Sequence, residues 1–312
     1  MSVNVLRVAQ PGLLTTVQDL GRPHAITAGV PTGGAMDRFA LRAANLLVGN
    51  LDGDAALECT GTGPHLMVEH ACLVAVTGAD LDPRVNGRAA PMWTALLLGE
   101  GEQLTFGGRR TGARAYISVA GGIEADRWFG SMSTFLLVAR GGMHGRPLRT
   151  GDVIATNREP AKALVSGRHL APALRPDYSD HTLHAINGPH LKRLDAESRA
   201  ALFEAGFRVG READRMGYRL DGPRLTTLGE DLLSFGLVMG AVQVPRGGTP
   251  ILLMADHQTA GGYPVPAVVA SASLPIAAQL LPGDDVRLIP TTIDRALRTR
   301  QALLDALKTL RG

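Results

Sequence analysis

The stretch Cys72–Arg88, CLVAVTGADLDPRVNGR, decides the fold class. Cys72 to Thr77 is an apolar run of strand length, and Val85-Asn86-Gly87-Arg88 carries the Asn-Gly pair of a tight hairpin turn. Further on, Arg114 to Val119 alternates before Gly121-Gly122. The 312 residues include 38 glycines and 19 prolines against 4% aromatic residues, with glycine far above the usual ~7%. Many short strands joined by tight turns account for that. With 45% hydrophobic and 20% charged residues, the chain can bury one large core or two of domain size. Disordered tails, coiled coils and small disulfide scaffolds are excluded.

Outward from that stretch, the pattern is mainly β with a few helices, in two lobes. Asp37 is a helix N-cap, Phe39, Ala43, Leu46 and Leu47 share a face, and Gly49 can end the helix in a left-handed conformation. Acidic turns before strands recur at Gly99–Leu104, Gly151–Ile154 and Gly283–Val286, as they do in β-barrels. Periodicity fails between Arg158 and Asp180, with Pro160, Pro172 and Pro176. This places an N-terminal β-rich lobe at 1–165, a C-terminal β lobe at 180–290 and a C-terminal helix at 291–312. In the second lobe, strands are expected at Leu183–Asn187, Ala241–Val244, Ile251–Ala255 and Val286–Ile289, and a helix from about Leu191 to Ala205. The final helix runs from about Ile293 to Leu310 behind Thr292. Its apolar side, Ile293, Ala296, Leu297, Leu303, Leu304, Leu307 and Leu310, is expected to bury against its own domain.

Charge and motif inventory narrow the function. The formal charge is +3, and the basic residues are three lysines (Lys162, Lys192, Lys308) and 29 arginines. This bias reads as genomic base composition. The arginines are dispersed without aromatic interleaving, so no nucleic-acid partner is expected. From His257 to Gly283 no Asp, Glu, Lys or Arg occurs, but four prolines exclude a lipid-exposed span, so no membrane partner is expected. The N-terminus lacks a signal-peptide pattern, and Cys59 and Cys72 in apolar stretches fit a reduced, cytoplasmic protein. The absence of any Gly-Lys pair rules out a P-loop, and no lysine has the Met-Lys-Met setting of a biotin carrier. His181 and His184 lack a third ligand nearby, so no metal is expected.

Four glycine-flanked polar clusters remain. Thr15–Arg22 brings Gln18, Asp19 and Arg22 together. Gly29–Asp37 runs Gly33-Gly34 into a helix N-terminus, which reads either as an anion cradle or as a turn capped by Asp37, the latter preferred. The third cluster, Asp214–Arg219, holds Arg215 and Tyr218. In the fourth, Asp256–Pro264, Asp256 ends a strand where a catalytic acid or base can sit, Gln258 and Thr259 can bind an amide or carboxylate edge, and Gly261-Gly262 admit a ligand to the backbone beside Tyr263. On a continuing strand, Asp256 and His257 would face opposite sides, which disfavours a hydrolase triad built on that pair.

These clusters, in this order, resemble the family of biotin-dependent carboxyltransferase-type subunits, which includes KipA, the C subunit of bacterial 5-oxoprolinase, allophanate hydrolase subunit 2 and one half of the carboxyltransferase domain of urea carboxylase. The carrying segments are PGLLTTVQDLGR (11–22), GVPTGGAMD (29–37), VTGAD (76–80), VAGG (119–122), RMGYRL (215–220) and PILLMADHQTAGGYP (250–264). The resemblance implies a cyclophilin-like β-barrel architecture and a hetero-oligomer with the two other 5-oxoprolinase subunits, a KipI-like B-type chain and an A-type chain. The implied activity is ATP-dependent opening of 5-oxoproline to glutamate, with ATP used by the complex at the KipI-like companion. It further implies catalytic roles for Asp256 and Gln258 on a small amide substrate. Contacts to that substrate are expected from Gln18, Asp19, Arg22, Gly33, Gly34, Arg215, Tyr218, Thr259, Gly261, Gly262 and Tyr263. The alternatives are carboxyl transfer to urea or a similar amide, with biotin on a separate carrier, and a non-enzymatic, KipA-like antagonist role. Family members commonly read Gly-Ser-Arg-Ser-Thr where this chain has Gly130-Ser131-Met132-Ser133-Thr134. The missing guanidinium is expected either to change the substrate or to be replaced by Arg127 or Arg140.

Overall fold

In the computed structural model, which describes residues 3–157 and 166–311, the opening stretch forms the strand Cys72–Asp80 and the hairpin Pro83–Val85/Arg88–Ala89. Asn86 and Gly87 both have positive φ (50° and 77°), as a two-residue hairpin turn of this hand requires. Cys72–Asp80 pairs antiparallel with Thr111–Val119, with a register shift near Gly78. There φ is +80°, and a Cβ would lie 2.4 Å from the Arg114 carbonyl, so only glycine fits this bulge.

Two compact units emerge. One comprises the chain up to Arg22, Gly33–Arg175 and Leu303 onward; the other comprises Pro23–Thr32 and Pro176–Ala302. The expected lobes differ from this in two ways: Pro23–Thr32 groups with the second unit, and the C-terminal helix is divided instead of standing apart. Part of the expected linker, with Pro160 and Lys162, lies outside the described residues.

The first unit stacks two sheets. A five-stranded sheet runs in the order Leu14–Gln18, Ala56–Thr60, Thr111–Val119, Cys72–Asp80, Ala95–Leu98, and a six-stranded sheet is built around Val3–Gln10 and His65–Val68. Their inner faces bury Leu6, Leu57, Leu66, Val74, Val76 and Ile117 in one core. The helix Arg38–Leu47 lies on this unit, with Asp37 as its N-cap accepting from the Ala40 N–H at 2.9 Å.

Cys59 and Cys72 are free and buried in the same core, and burial pushes both thiols up to about 12. Thiolate is the reactive form. Native protein treated with iodoacetamide at pH 8 is therefore expected to stay unmodified and to gain two adducts only after denaturation, read by intact mass.

The second unit contains a closed barrel of seven strands, in the order Thr182–Asn187, Ala267–Val269, Ala241–Gln243, Ile251–Leu253, Gly217–Asp221, Gly206–Val209, Asp285–Pro290. Closure comes from a parallel pairing of the first strand with the last, which removes free edges. Three expectations need correction here. The helix expected at about Leu191–Ala205 splits into a 3₁₀ turn, Leu191–Arg193, and an α-helix, Ala196–Glu204, because Asp195 caps the second piece by accepting from the Ser198 N–H at 2.7 Å. The strand ending at Ala255 stops at Leu253. The final helix, Ile293–Lys308, buries Ala306 and Leu307, while Ile293 and Leu297 are 63% and 55% exposed, so only the distal part of its apolar side is covered. No helix among the described residues is long and apolar enough to cross a membrane.

Candidate functional site

In the first unit, the polar residues of Thr15–Arg22 are held by many internal hydrogen bonds. Asp19 Oδ1 accepts from the Gly21 N–H (2.7 Å), Ser131 Oγ (2.6 Å) and Ser133 Oγ (2.5 Å), and Oδ2 accepts from the Met132 N–H (2.7 Å). Four donors saturate most of a carboxylate's acceptor capacity, and they tie the end of a strand to the 131–134 loop. Gln18 is fully buried, with Nε2 donating to Thr16 Oγ1 and the Thr134 carbonyl. Arg22, 1% exposed, donates from Nη2 to the Ser133 carbonyl and lies over the rings of Trp128 and Phe135, 5.2 and 5.8 Å from their centroids.

The anion-cradle alternative at Gly33-Gly34 is replaced by a closed arrangement. The Met36 N–H donates to Glu58 Oε2, the Asp37 N–H to Tyr116 Oη, and the Ala35 N–H to the Asp19 carbonyl. Tyr116 in turn donates to Glu58 at 2.7 Å; burial, with Glu58 and Asp37 nearby, holds its phenol pKa well above the ordinary value. Two carboxylates thus face the helix start, where an incoming anion would be repelled. A Cβ on Gly34 would lie 2.6 Å from the Gly21 nitrogen, so this glycine serves the approach of two backbone segments. Gln18, Asp19, Arg22 and Gly34 thus each have close structural neighbours within the first unit.

The Met132 reading changes for the same reason. Its side chain is 6% exposed and belongs to the core of the first unit. Of its proposed substitutes, Arg127 donates to the Gly130 carbonyl at 3.2 Å and is exposed, as is Arg140. The guanidinium that engages this loop is that of Arg22.

The second unit holds the arrangement with chemical capacity. Beyond Leu253 the chain turns, and Asp256 accepts a two-pronged contact from Arg215, Nε to Oδ2 at 2.7 Å and Nη2 to Oδ1 at 3.2 Å. The two side chains are 9% and 7% exposed. The Asp256 N–H donates to the Arg215 carbonyl at 2.8 Å, so the carboxylate is fixed by backbone and side chain together. Because the strand has ended, the alternation argument separating Asp256 from His257 does not apply; both are buried, and His257 Nδ1 lies 2.6 Å from the Gln258 carbonyl oxygen.

Gln258 Nε2 donates to Gln243 Oε1 at 3.0 Å. Gln243, 1% exposed on the strand Ala241–Gln243, has its Nε2 buried without a hydrogen bond among the described residues. Such a donor is costly in a barrel wall, about 1–3 kcal/mol, which marks it as more than packing. Sequence reading passed over Gln243, although a glutamine inside the apolar run Ala241–Val244 was a visible signal. Gly261 abuts this pair, its would-be Cβ 3.1 Å from Gln243 Nε2 and 3.7 Å from Gln258 Nε2. It lies in a two-stranded ribbon, Phe235–Gly236 with Ala260–Gly261. Gly262 passes close to the Leu232 carbonyl, 2.7 Å from a would-be Cβ, Thr259 offers its carbonyl to the Leu237 N–H, and Tyr263 is half exposed. Tyr218 is fully buried in the barrel wall, opposite Leu252. The turn beyond Leu253 therefore carries Asp256, paired with Arg215 ahead of the strand Gly217–Asp221, and Gln258, paired with Gln243 of the strand Ala241–Gln243; a carboxylate and a carboxamide are suited to the N–H and C=O of an amide. Among the described residues no group of three or more His, Cys, Asp or Glu could hold a metal ion.

The family model described as "Carboxyltransferase domain, subdomain A and B" matches residues 28–290. The chain belongs to the carboxyltransferase A and B family. Among relatives of this carboxyltransferase-family protein, the C subunit of 5-oxoprolinase from Escherichia coli (strain K12) is 36% identical over 300 residues, covering 95% of this chain and 94% of that protein. The corresponding 5-oxoprolinase chain of Haemophilus influenzae is 31% identical over 287 residues, covering 92% and 91%. The crystal structure of the K. lactis urea amidolyase superposes with a TM-score of 0.92 at 28% identity over 99% of this chain, which spans only 20% of that much longer protein.

Proposed function

We propose that this chain is the C-type component of a 5-oxoprolinase complex, which opens 5-oxoproline to L-glutamate with ATP hydrolysis alongside a KipI-like B-type chain and an A-type chain. The observation that carries the reading is end-to-end likeness to a protein named as the C subunit of 5-oxoprolinase, 94% of which is covered. The Asp256–Gln258 segment supports it. A lactam presents an N–H and a C=O on one edge, and a fixed carboxylate beside a carboxamide supplies an acceptor and a donor for them. In this reading Asp256 and Gln258 touch the amide, Thr259, Gly261, Gly262 and Tyr263 shape its surroundings, and Arg215 holds Asp256 in place. ATP is a substrate of the complex, used at the KipI-like companion.

The chain alone is expected to hydrolyse no ATP, and the complex reconstituted with its companion subunits to do so only when 5-oxoproline is added. A reconstituted complex that ignores 5-oxoproline would remove it as the substrate.

The TM-score to the urea amidolyase favours a second reading, carboxyl transfer to urea or a similar amide. Biotin would supply the carboxyl group in that chemistry. None of the three lysines has the Met-Lys-Met setting of an attachment point: Lys162 lies between Ala161 and Ala163, Lys192 between Leu191 and Arg193, and Lys308 between Leu307 and Thr309. A separate carrier would be required, and a native complex free of any biotinylated protein, probed with streptavidin, would exclude this reading.

A further inference from the structure

We propose that a cavity of the second unit, walled by Arg193, Arg224 and Arg246, is an oxyanion site that holds the carboxylate of an acidic amide substrate; the substrate class rests on the 5-oxoprolinase reading above. The cavity measures about 510 Å³, within the range of small-molecule sites. Its three guanidinium groups are not equivalent. Arg246 is neutralised by Asp231 through two contacts, 3.0 and 2.6 Å. Arg193 donates from Nη1 to the Glu230 carbonyl at 2.5 Å, and Arg224 from Nη1 to the Gly247 carbonyl at 3.1 Å. A backbone carbonyl fixes a guanidinium without cancelling its charge. Glu230 also lines the cavity, but among the described residues neither Arg193 nor Arg224 is ion-paired with it or with another carboxylate, and each keeps further N–H donors of its planar fork, the geometry that matches a carboxylate or a phosphate.

Glycine makes room for this. A Cβ on Gly229, where φ is +84°, would lie 3.3 Å from Arg193 Nη1. The cavity also adjoins the amide-binding segment: Val244 and Gly262 line it, and they directly follow Gln243 and Gly261, the residues of the carboxamide pair and its glycine. Urea carries no charge, so two unneutralised arginines have nothing to bind in it. 5-Oxoproline carries a carboxylate next to its lactam nitrogen.

The test uses the assembled complex with Arg193→Gln and Arg224→Gln, and Arg224→Lys as a variant that keeps the charge but loses the fork. Both glutamine variants should melt as wild type does and raise the KM for 5-oxoproline at least about tenfold, the scale of a lost charge-assisted contact, with kcat little changed. Inhibition by 2-pyrrolidinone, the same lactam without its carboxylate, should not move. An unchanged KM, or equal weakening of both ligands, overturns the proposal. Calorimetric titration of the complex separates the sources without relying on turnover. Binding of 5-oxoproline that is lost in Arg224→Gln supports a carboxylate site even if the complex proves inert toward ATP. Binding of inorganic phosphate that 5-oxoproline does not displace, or no binding of either, overturns it.

Discussion

Asp256→Ala is expected to abolish 5-oxoproline-dependent ATP hydrolysis by the assembled complex and to destabilise the chain by about 3–5 kcal/mol. The second effect follows from burial. Both side chains of the Arg215–Asp256 pair are below a tenth exposed, and removing one partner leaves the other charge desolvated without its counter-ion. The two effects are separable. Asp256→Asn keeps the shape and one acceptor for Arg215, so it should lose less stability while still losing turnover, because an amide cannot take the carboxylate's part toward a substrate N–H. Replacing both partners together, Arg215→Met with Asp256→Leu, should restore most of the stability and none of the activity. Denaturant midpoints of the isolated chain and ATPase rates of the complex read the two separately; wild-type turnover in Asp256→Asn would remove Asp256 from the chemistry.

Asp19→Ala should cost a comparable amount, on the order of 3–5 kcal/mol, with no specific effect on substrate affinity. Four donors converge on this carboxylate, from Gly21, Ser131, Met132 and Ser133, and alanine would leave them buried without an acceptor. Asp19→Asn should be intermediate, since its NH₂ group must face a donor. A substrate-binding Asp19 would give the opposite pattern, a raised KM at unchanged unfolding midpoint, so urea denaturation set beside KM decides between them.

Strands and turns were legible because their signals are local: the run Cys72–Thr77, the Asn86-Gly87 turn and the Asp37 cap each declare themselves within a few residues. The candidate site was legible only in part, for a physical reason. Glycines beside polar side chains are what a ligand cradle needs, and equally what a tight internal junction needs. At Thr15–Asp37 the structure shows such a junction, and the partners that form it are far away in sequence: Ser131 and Ser133 lie 112 and 114 residues from Asp19. The place of Met132 was hidden for a related reason, since its neighbours in sequence do not reveal that its side chain turns into the core. Asp256 and Gln258 stood out because a polar cluster follows an apolar strand directly. Gln243, Arg193 and Arg224 did not, since none has a polar neighbour at a telling spacing and their relation to Gly261 and Gly262 exists only once the barrel has closed.

That closure also orders how the second unit can form. Thr182–Asn187 hydrogen-bonds in parallel with Asp285–Pro290, the first barrel strand with the last, across nearly the whole unit. During synthesis, Thr182–Asn187 leaves the ribosome long before its partner exists, and Gly206–Val209 waits for the same strand on its other side. Until residue 290 is free, the nascent barrel has two unpaired edges, the condition under which chains associate wrongly. Late arrival of one six-residue strand therefore governs both the folding rate, through long-range pairing, and the interval in which a chaperone or a companion chain has an open edge to protect.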